Sequence, residues 1–327
     1  NTIIISSDNE LNYNYDGDWS NLDHWTELYG DNQENVDAGG YYAFPIRENR
    51  KRKDNSFELK FKNTYGKNDL IFGLFNKNLT EDDTANGFIF DLGALGFVNQ
   101  FESTYQTTFN SFYYQHQYNL NTESFLIFNL RNDAYKNKFN YTQITDDYNY
   151  DPEDVDLPVS SDIYNYSNSI LSYRIGAKYN NYYVSLSKGH KAGGFNQTPT
   201  EYIDESNRTY KPETNTNLDL GFSDRIDDFY FNINLFYMDR QDVHATIQDQ
   251  IGDCPTCYVY FTKNIATGYN FGLDLEATYN IHSKTLLFLN LGLLETKRSA
   301  YSYESSEGTQ FVEEGRLANA PGWTIST

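Results

Sequence analysis

The chain has 327 residues, enough for one large core or two domains. It carries 30 Tyr and 23 Phe but only 7 Pro and 1 Met, and its mean hydropathy is -0.71, whereas a soluble enzyme of this length is richer in aliphatic residues and long helical patterns. With 46 acidic against 25 basic residues the net charge of -21 disfavours a nucleic-acid partner, since the phosphate backbone would be repelled. The acidic surplus suits solvated loops or the attraction of cations. No run of about 18 apolar residues exists, so no transmembrane helix is expected. The chain opens at Asn1 without Met or a basic leader, so for an exported protein the natural start is expected upstream.

In chain order, period-2 patterning predicts twelve strands near 2–15, 55–63, 69–78, 106–118, 123–140, 169–179, 182–189, 214–222, 229–239, 268–280, 285–298 and 317–327. Phe57, Leu59 and Phe61 oppose Glu58, Lys60 and Lys62. Tyr173, Ile175, Ala177 and Tyr179 oppose Ser172, Arg174, Gly176 and Lys178. Phe229, Phe231, Ile233, Leu235 and Tyr237 share a face, with Asn232 and Asn234 on the other. Leu273, Leu275, Ala277 and Tyr279 oppose Gly272, Asp274, Glu276 and Thr278, and Leu287 to Leu293 alternate in the same way.

The connections alternate in length. The gaps 64–68, 119–122, 180–181, 223–228 and 281–284 read as tight turns, with Gly66-Lys67-Asn68, Asn180-Asn181 and Asp227-Asp228 as turn chemistry. The gaps 16–54, 79–105, 141–168, 190–213, 240–267 and 299–316 are long and polar. A soluble sandwich also alternates, but it would not place every long loop at one end. The pattern predicts an all-β fold, an antiparallel up-and-down transmembrane β-barrel with its apolar face in lipid and its polar face lining the lumen. Tyr179, Tyr182, Tyr183, Phe222, Phe229, Tyr237 and Tyr279 near strand ends suit interfacial girdles, although Tyr and Phe also favour strands for their own sake. The last segment stops mid-strand at Thr327, so both ends are expected to continue in a longer chain.

Catalytic patterns are not visible. His24, His116, His190, His244 and His282 lack metal-ligand spacing, there is no Gly-rich phosphate loop, and neither a cofactor nor a metal is expected. Cys254-Pro255-Thr256-Cys257 lacks the βαβ context of a redox motif and the second pair of a zinc site, so in an exported loop a local disulfide is expected. The run from Asp146 to Asp156 offers oxygen ligands but lacks the calcium-loop spacing and glycine, and reads as a solvated acidic loop.

Five ordered segments carry a resemblance. They are Val184 to Asn196, with Lys188-Gly189-His190-Lys191-Ala192-Gly193-Gly194-Phe195-Asn196; Tyr210 to Phe222, with Lys211-Pro212-Glu213; Phe236-Tyr237-Met238-Asp239-Arg240-Gln241-Asp242; Asn264 to Glu276; and Gly315 to Pro321. Together they resemble the barrel of TonB-dependent receptors, with His190 in place of the usual aromatic and Asp274 where Glu is commoner. The resemblance is sharpest over 172–327. It implies a barrel of about 22 strands around a plug, of which residues 1–327 would be a partial barrel domain without plug or TonB box. It also implies active import of a scarce nutrient, foremost an iron–siderophore complex, energised by a TonB–ExbB–ExbD complex from the outer membrane of a Gram-negative cell. Outer-membrane lipid would be the remaining partner, and no enzymatic activity is implied. A passive porin-like channel and a soluble glycan-binding β-protein are the other readings.

On this resemblance the expected ligand contacts are Trp19, Trp25, His190, Lys191, Phe195, Asn196, Tyr202 and Tyr210, although aromatic residues there could equally pack loops. Arg174, Lys178, Gly221, Gly272, Asp274 and Glu276 are expected to face a plug from the lumen wall. Gly193-Gly194 is expected to ease the chain out of its strand.

Overall fold

The computed structural model describes residues 1–16, 42–43, 45–92, 96–146, 159–196, 203–250, 258–282, 284–305 and 308–327. Alternating apolar and polar residues put one row of side chains on each face of a strand, and the structure extends that rule across one large antiparallel sheet. In chain order its strands are β1 (Thr2–Asp16), β2 (Tyr42–Ala43), β3 (Pro45–Tyr65), β4 (Asn68–Leu92), β5 (Gly96–Asn119), β6 (Phe125–Asp146) and β7 (Val159–Tyr179). They continue with β8 (Tyr182–Lys191), β9 (Gly194–Phe195), β10 (Thr209–Tyr210), β11 (Glu213–Ile226), β12 (Phe229–Gln250), β13 (Tyr258–His282), β14 (Thr285–Arg298), β15 (Tyr301–Ser305), β16 (Gly308–Val312) and β17 (Trp323–Ser326).

The main sheet runs β1-β3-β4-β5-β6-β7-β8-β11-β12-β13-β14-β17, with β2 attached to β4, while β9–β10 and β15–β16 form two small hairpin sheets. Sequential strands are neighbours throughout, which is the meander of an up-and-down barrel wall, and the sheet is open. All twelve predicted strands lie on this path.

The tight turns stand where expected. Gly66, Asn180 and Asp227 begin two-residue connections at φ 57°, 50° and 51°, the left-handed region that Gly, Asn and Asp tolerate best. The predicted strands are too short at their other ends. β4 runs to Leu92 and β5 starts at Gly96, so most of the expected 79–105 loop is a continuous hairpin. The 299–316 loop holds the β15–β16 hairpin, and β17 is only four residues. Backbone pairing continues through these extensions beyond the apolar belt.

Register fixes the two faces. Phe61 pairs with Phe72, Phe72 with Tyr114, Leu130 with Tyr173 and Leu186 with Leu218, while Leu235 pairs with Leu273 and Leu273 with Leu293. The apolar rows therefore merge into one belt across the sheet. These residues are not covered by a second layer. Phe61 is 57% exposed, Ile175 52%, Leu287 54% and Trp323 66%. A stacked sandwich would bury this face, so hydrocarbon is the solvent it fits.

At the turn end the belt is rimmed by rings: Tyr182 lies 4.6 Å from Phe222, Phe222 5.6 Å from Phe231, and Phe229 6.3 Å from Tyr279. Tyr183 departs from this expected girdle. It pairs with Gly221 on the polar face. Two apolar grooves of about 620 and 470 Å³, one floored by Leu275 and Ala277 and the other by Ala177 and Val184, lie along the belt.

Candidate functional site: the inner wall

The face opposite the belt is polar. Register brings together Glu58 with Phe75, Arg174 with Asn129 and Ser187, Lys178 with Tyr183, Asn234 with Gly221 and Asp274, and Asn232 with Glu276. Arg174, Lys178, Gly221, Gly272, Asp274 and Glu276 thus share one face, as alternation required.

The glycines on this wall are overlain by rings of the wall itself. A Cβ on Gly221 would lie 1.9 Å from the Tyr183 ring, and one on Gly272 would lie 2.5 Å from the Phe236 ring. Gly73 stands in the same way beneath Tyr113, at 2.0 Å. In each case the ring comes from the directly opposed residue and occupies the space where a Cβ on the glycine would stand. Two of the rings then reach a third strand: the Tyr183 hydroxyl donates to Asn234 Oδ1 at 2.9 Å, and the Tyr113 hydroxyl donates to Glu58.

Beyond the belt, toward the long connections, the inner face acquires a core. Phe139, Tyr141, Tyr164 and Phe195 are buried together, with Tyr105 and Tyr166 against them, and Tyr135 is buried 6.0 Å from the Tyr166 ring. Phe195 comes from β9, and the described residues 192–196 and 203–212 between β8 and β11 lie against the inner wall. Phe195 stacks 6.2 Å from Phe139, and the Gly193 N–H donates to the Tyr135 hydroxyl. Burial pushes the phenols of Tyr135 and Tyr164 upward, and the Tyr164 hydroxyl donates to Asp162 at 2.7 Å. Arg208 lies 4.7 Å from the Tyr164 ring centre and donates to the Asn196 carbonyl at 2.9 Å.

Two amides anchor the segment to β13. Asn196 Nδ2 donates to the carbonyls of Asn207 and Thr262 at 2.6 and 2.8 Å, and the Thr262 N–H donates to Asn196 Oδ1 at 2.7 Å. Asn264 Oδ1 accepts from the Lys211 N–H at 2.6 Å, while its Nδ2 donates to the carbonyls of Lys211 and Asp242. Gly193 and Gly194 have ordinary backbone angles; what demands glycine is proximity, since a Cβ on Gly193 would sit 2.3 Å from the Tyr210 carbonyl oxygen. The expected reason, relief on leaving a strand, is replaced by close approach of two chain segments.

Charged clusters line the same wall. Arg131 Nε donates to both Asp133 oxygens at 2.8 and 3.0 Å, and His190 Nε2 lies 3.8 Å from Asp133, with its Nδ1 3.0 Å from the Ser172 hydroxyl. Burial pushes the His190 imidazole below its usual range, with Asp133 pulling the other way. Arg50 forks onto Asp83 at 2.8 and 3.3 Å and lies 3.1 Å from Glu48.

Glu213 clasps a bulge where β12 pairs irregularly with β13 and Asp242 takes φ 53°. It accepts from Arg240 Nε at 2.9 Å and from the His244 N–H at 3.1 Å. Burial raises the Glu213 carboxyl, but these donors outweigh it and hold the group below the usual carboxylate range.

The expected ligand contacts are therefore split. His190, Phe195, Asn196 and Tyr210 gather on the inner wall, but Phe195 and Asn196 spend their contacts on packing, and Tyr210 sits edge-on to His244 at 5.0 Å. Lys191 is exposed at the end of β8, paired in register with Glu213. Trp19, Trp25, Tyr202, Cys254 and Cys257, and all but the first residue of the acidic run 146–156, lie outside the described residues. Sequence reasoning missed Arg131, Asp133, Ser172 and the Arg50–Asp83 fork. It also passed over Tyr135, Phe139 and Tyr141, whose even spacing was a readable signal on the opposite parity from Leu126, Phe128 and Leu130.

An exposed apolar belt on one side and a charged, hydrogen-bonded wall on the other define the wall of an outer-membrane β-barrel. The model of the TonB dependent receptor-like β-barrel matches residues 3–327, and the chain belongs to that family, one of outer-membrane transport receptors. The fold is similar to the ferric yersiniabactin uptake receptor FyuA from Yersinia pestis, at TM-score 0.64 and 14% identity over 88% of this chain and 41% of that one. It is also similar to the siderophore receptor PiuA from Acinetobacter baumannii, at TM-score 0.61 and 13% identity over 99% and 48%. The chain thus spans under half the length of either structure. No curated protein sequence matches it.

Proposed function

We propose that residues 1–327 are a single partial barrel domain of a receptor for TonB-dependent active uptake, and that its cargo is a ferric siderophore. The observation carrying this reading is the family match over 3–327 joined to a wall whose inner face is charged and held in place by a folded-in segment. One of the similar structures is by name a siderophore receptor and the other a ferric yersiniabactin uptake receptor, which supports the cargo. The plug of the whole protein would contact Arg174, Lys178, Asp274 and Glu276, and a TonB–ExbB–ExbD complex would act through that plug. Trp19, Trp25, His190, Lys191, Tyr202 and Tyr210 would meet the ligand from the outer side, with Phe195 and Asn196 setting the shape of the segment beneath. A Cys254–Cys257 disulfide would stiffen its loop.

The experiment is a growth and uptake assay in a strain lacking the full-length gene. Radiolabelled ferric siderophore should accumulate only when both the receptor and TonB are present. Uptake that persists without TonB, together with a stable open pore in planar bilayers, would favour a porin-like channel instead.

A further inference from the structure

We propose that the Asp133 carboxylate passes between Arg131 and His190 with pH, and that acid thereby leaves Arg131 on the inner wall as an anion site that is closed at neutral pH. The proposal goes beyond the transport reading, since it concerns residues of the wall alone and depends on no particular cargo.

Three strands bring the groups together. Arg131 and Asp133 are two residues apart on β6 and share its inner face, and Ser172 of β7 is in register with Arg131. His190 stands near the end of β8, just past the last β7–β8 pair, Tyr173 with Lys188. At the height of that pair the outward residues of β8, β11 and β12 are already Lys188, Thr216 and Asp239, so His190 lies beyond the belt.

Asp133 is 4% exposed, and a carboxylate so buried must be paired. Two cations compete for it. Arg131 Nε holds both oxygens at 2.8 and 3.0 Å, while His190 Nε2 lies 3.8 Å from one of them, close enough for charge but not for a hydrogen bond. The other imidazole nitrogen, Nδ1, is 3.0 Å from the Ser172 hydroxyl. A hydroxyl both donates and accepts, so Ser172 keeps that bond whether His190 is neutral or charged.

Protonation changes the balance. Against neutral His190 the guanidinium keeps the carboxylate. Charged His190 needs a movement of about 1 Å to bond Asp133 itself. Its side chain is 12% exposed against 44% for Arg131, so the arginine regains water on release and the imidazolium does not. The site also has slack. Ser111, opposite Asp133 on β5, is buried with a hydroxyl that has no partner among the described residues, a donor for the carboxylate in its second position.

Released Arg131 is still held at the wall, because its guanidinium carbon lies 6.0 Å from the ring centres of both Phe109 and Tyr113. No other acid is waiting for either cation: Glu58 accepts from the Tyr113 hydroxyl, and Glu213 of β11 is bound to Arg240. The other charged or titratable neighbours are Arg174, the next inward residue of β7 after Ser172, exposed Lys191, and Tyr135, whose phenol burial keeps neutral. Burial lowers the His190 imidazole, with Asp133 pulling it up and Arg131 pushing it down, so the exchange falls on the acid side of the ordinary value of 6.5.

The test is NMR of the detergent-solubilised full-length receptor with isotope-labelled histidine and arginine, the two signals assigned from H190Q and R131K. The His190 signal should titrate below pH 6.5, and the Arg131 Nε signal should move with the same midpoint. In H190Q the Arg131 signal should no longer respond between about pH 5 and 7. R131Q should raise the His190 midpoint and D133N should lower it, with heat-dependent gel mobility checking that each variant is folded. Sulfate, a dianion throughout this range, should shift the Arg131 signal at about pH 5 and not at about pH 8. An Arg131 signal that stays fixed while His190 titrates, or that still responds in H190Q, would overturn the exchange. A sulfate response equal at both pH values, or missing at both, would overturn the anion site. The titration of the unaltered receptor decides by itself where a variant fails to fold.

Discussion

Strand β6 holds two opposite solutions to the same problem. In its first half Leu126, Phe128 and Leu130 point outward and are exposed or half-exposed, while Arg131 and Asp133 face inward. In its second half Tyr135, Phe139 and Tyr141 point inward and are buried, while Lys136 and Lys138 are exposed outward. Lipid solvates the apolar side of the first half, and water surrounds the second, so its apolar side must find protein. One strand thus passes from an inside-out arrangement to the ordinary one within a few residues.

The contrast is broken most severely in the second half. Phe139→Ala empties a fully buried site and should cost about 3–5 kcal/mol, read as a lowered denaturation midpoint in vesicles; Phe128→Ala, facing lipid, should cost clearly less. Equal costs would dissolve the distinction between the halves. Next comes charge: Leu220→Arg in the belt should destabilise by about 2–4 kcal/mol, and Gln106→Arg, outward but above the belt, by about 0–1.

The twelve strands and the two faces were legible because lipid imposes a one-sided apolar code on Phe57 to Phe61, Phe229 to Tyr237 and Leu287 to Leu293. The tops of β4 and β5 were not, since their pairing continues through backbone bonds past the end of the apolar alternation. The inner wall was half legible. Alternation placed Arg174, Asp274 and Glu276, but it is silent on partners, so the bonds from Asn196 to Asn207 and Thr262 were not foreseen. The Arg131–Asp133–His190 grouping joins β6 to β8 across β7, a proximity that only register creates.

A smaller effect sharpens the comparison inside the belt. Gly221→Ala should displace the Tyr183 ring and break its bond to Asn234, at about 1–3 kcal/mol, with a change in tyrosine fluorescence; an unchanged spectrum would mean that the ring has room to spare. The smallest concerns acid. Because the folded Glu213 carboxyl sits below its ordinary value near 4.5, its contribution is complete above that pH and fades as pH falls through the lower, folded value. Glu213→Gln should flatten the acid limb of the stability curve below about pH 4.5, and a parallel limb in the variant would assign that limb to other groups.

The rings over Gly73, Gly221 and Gly272 bear on the thickness of the wall. Tyr113, Tyr183 and Phe236 each fill the space that a facing side chain would take, so at three places one ring serves two positions and the peptide groups beneath it are still covered.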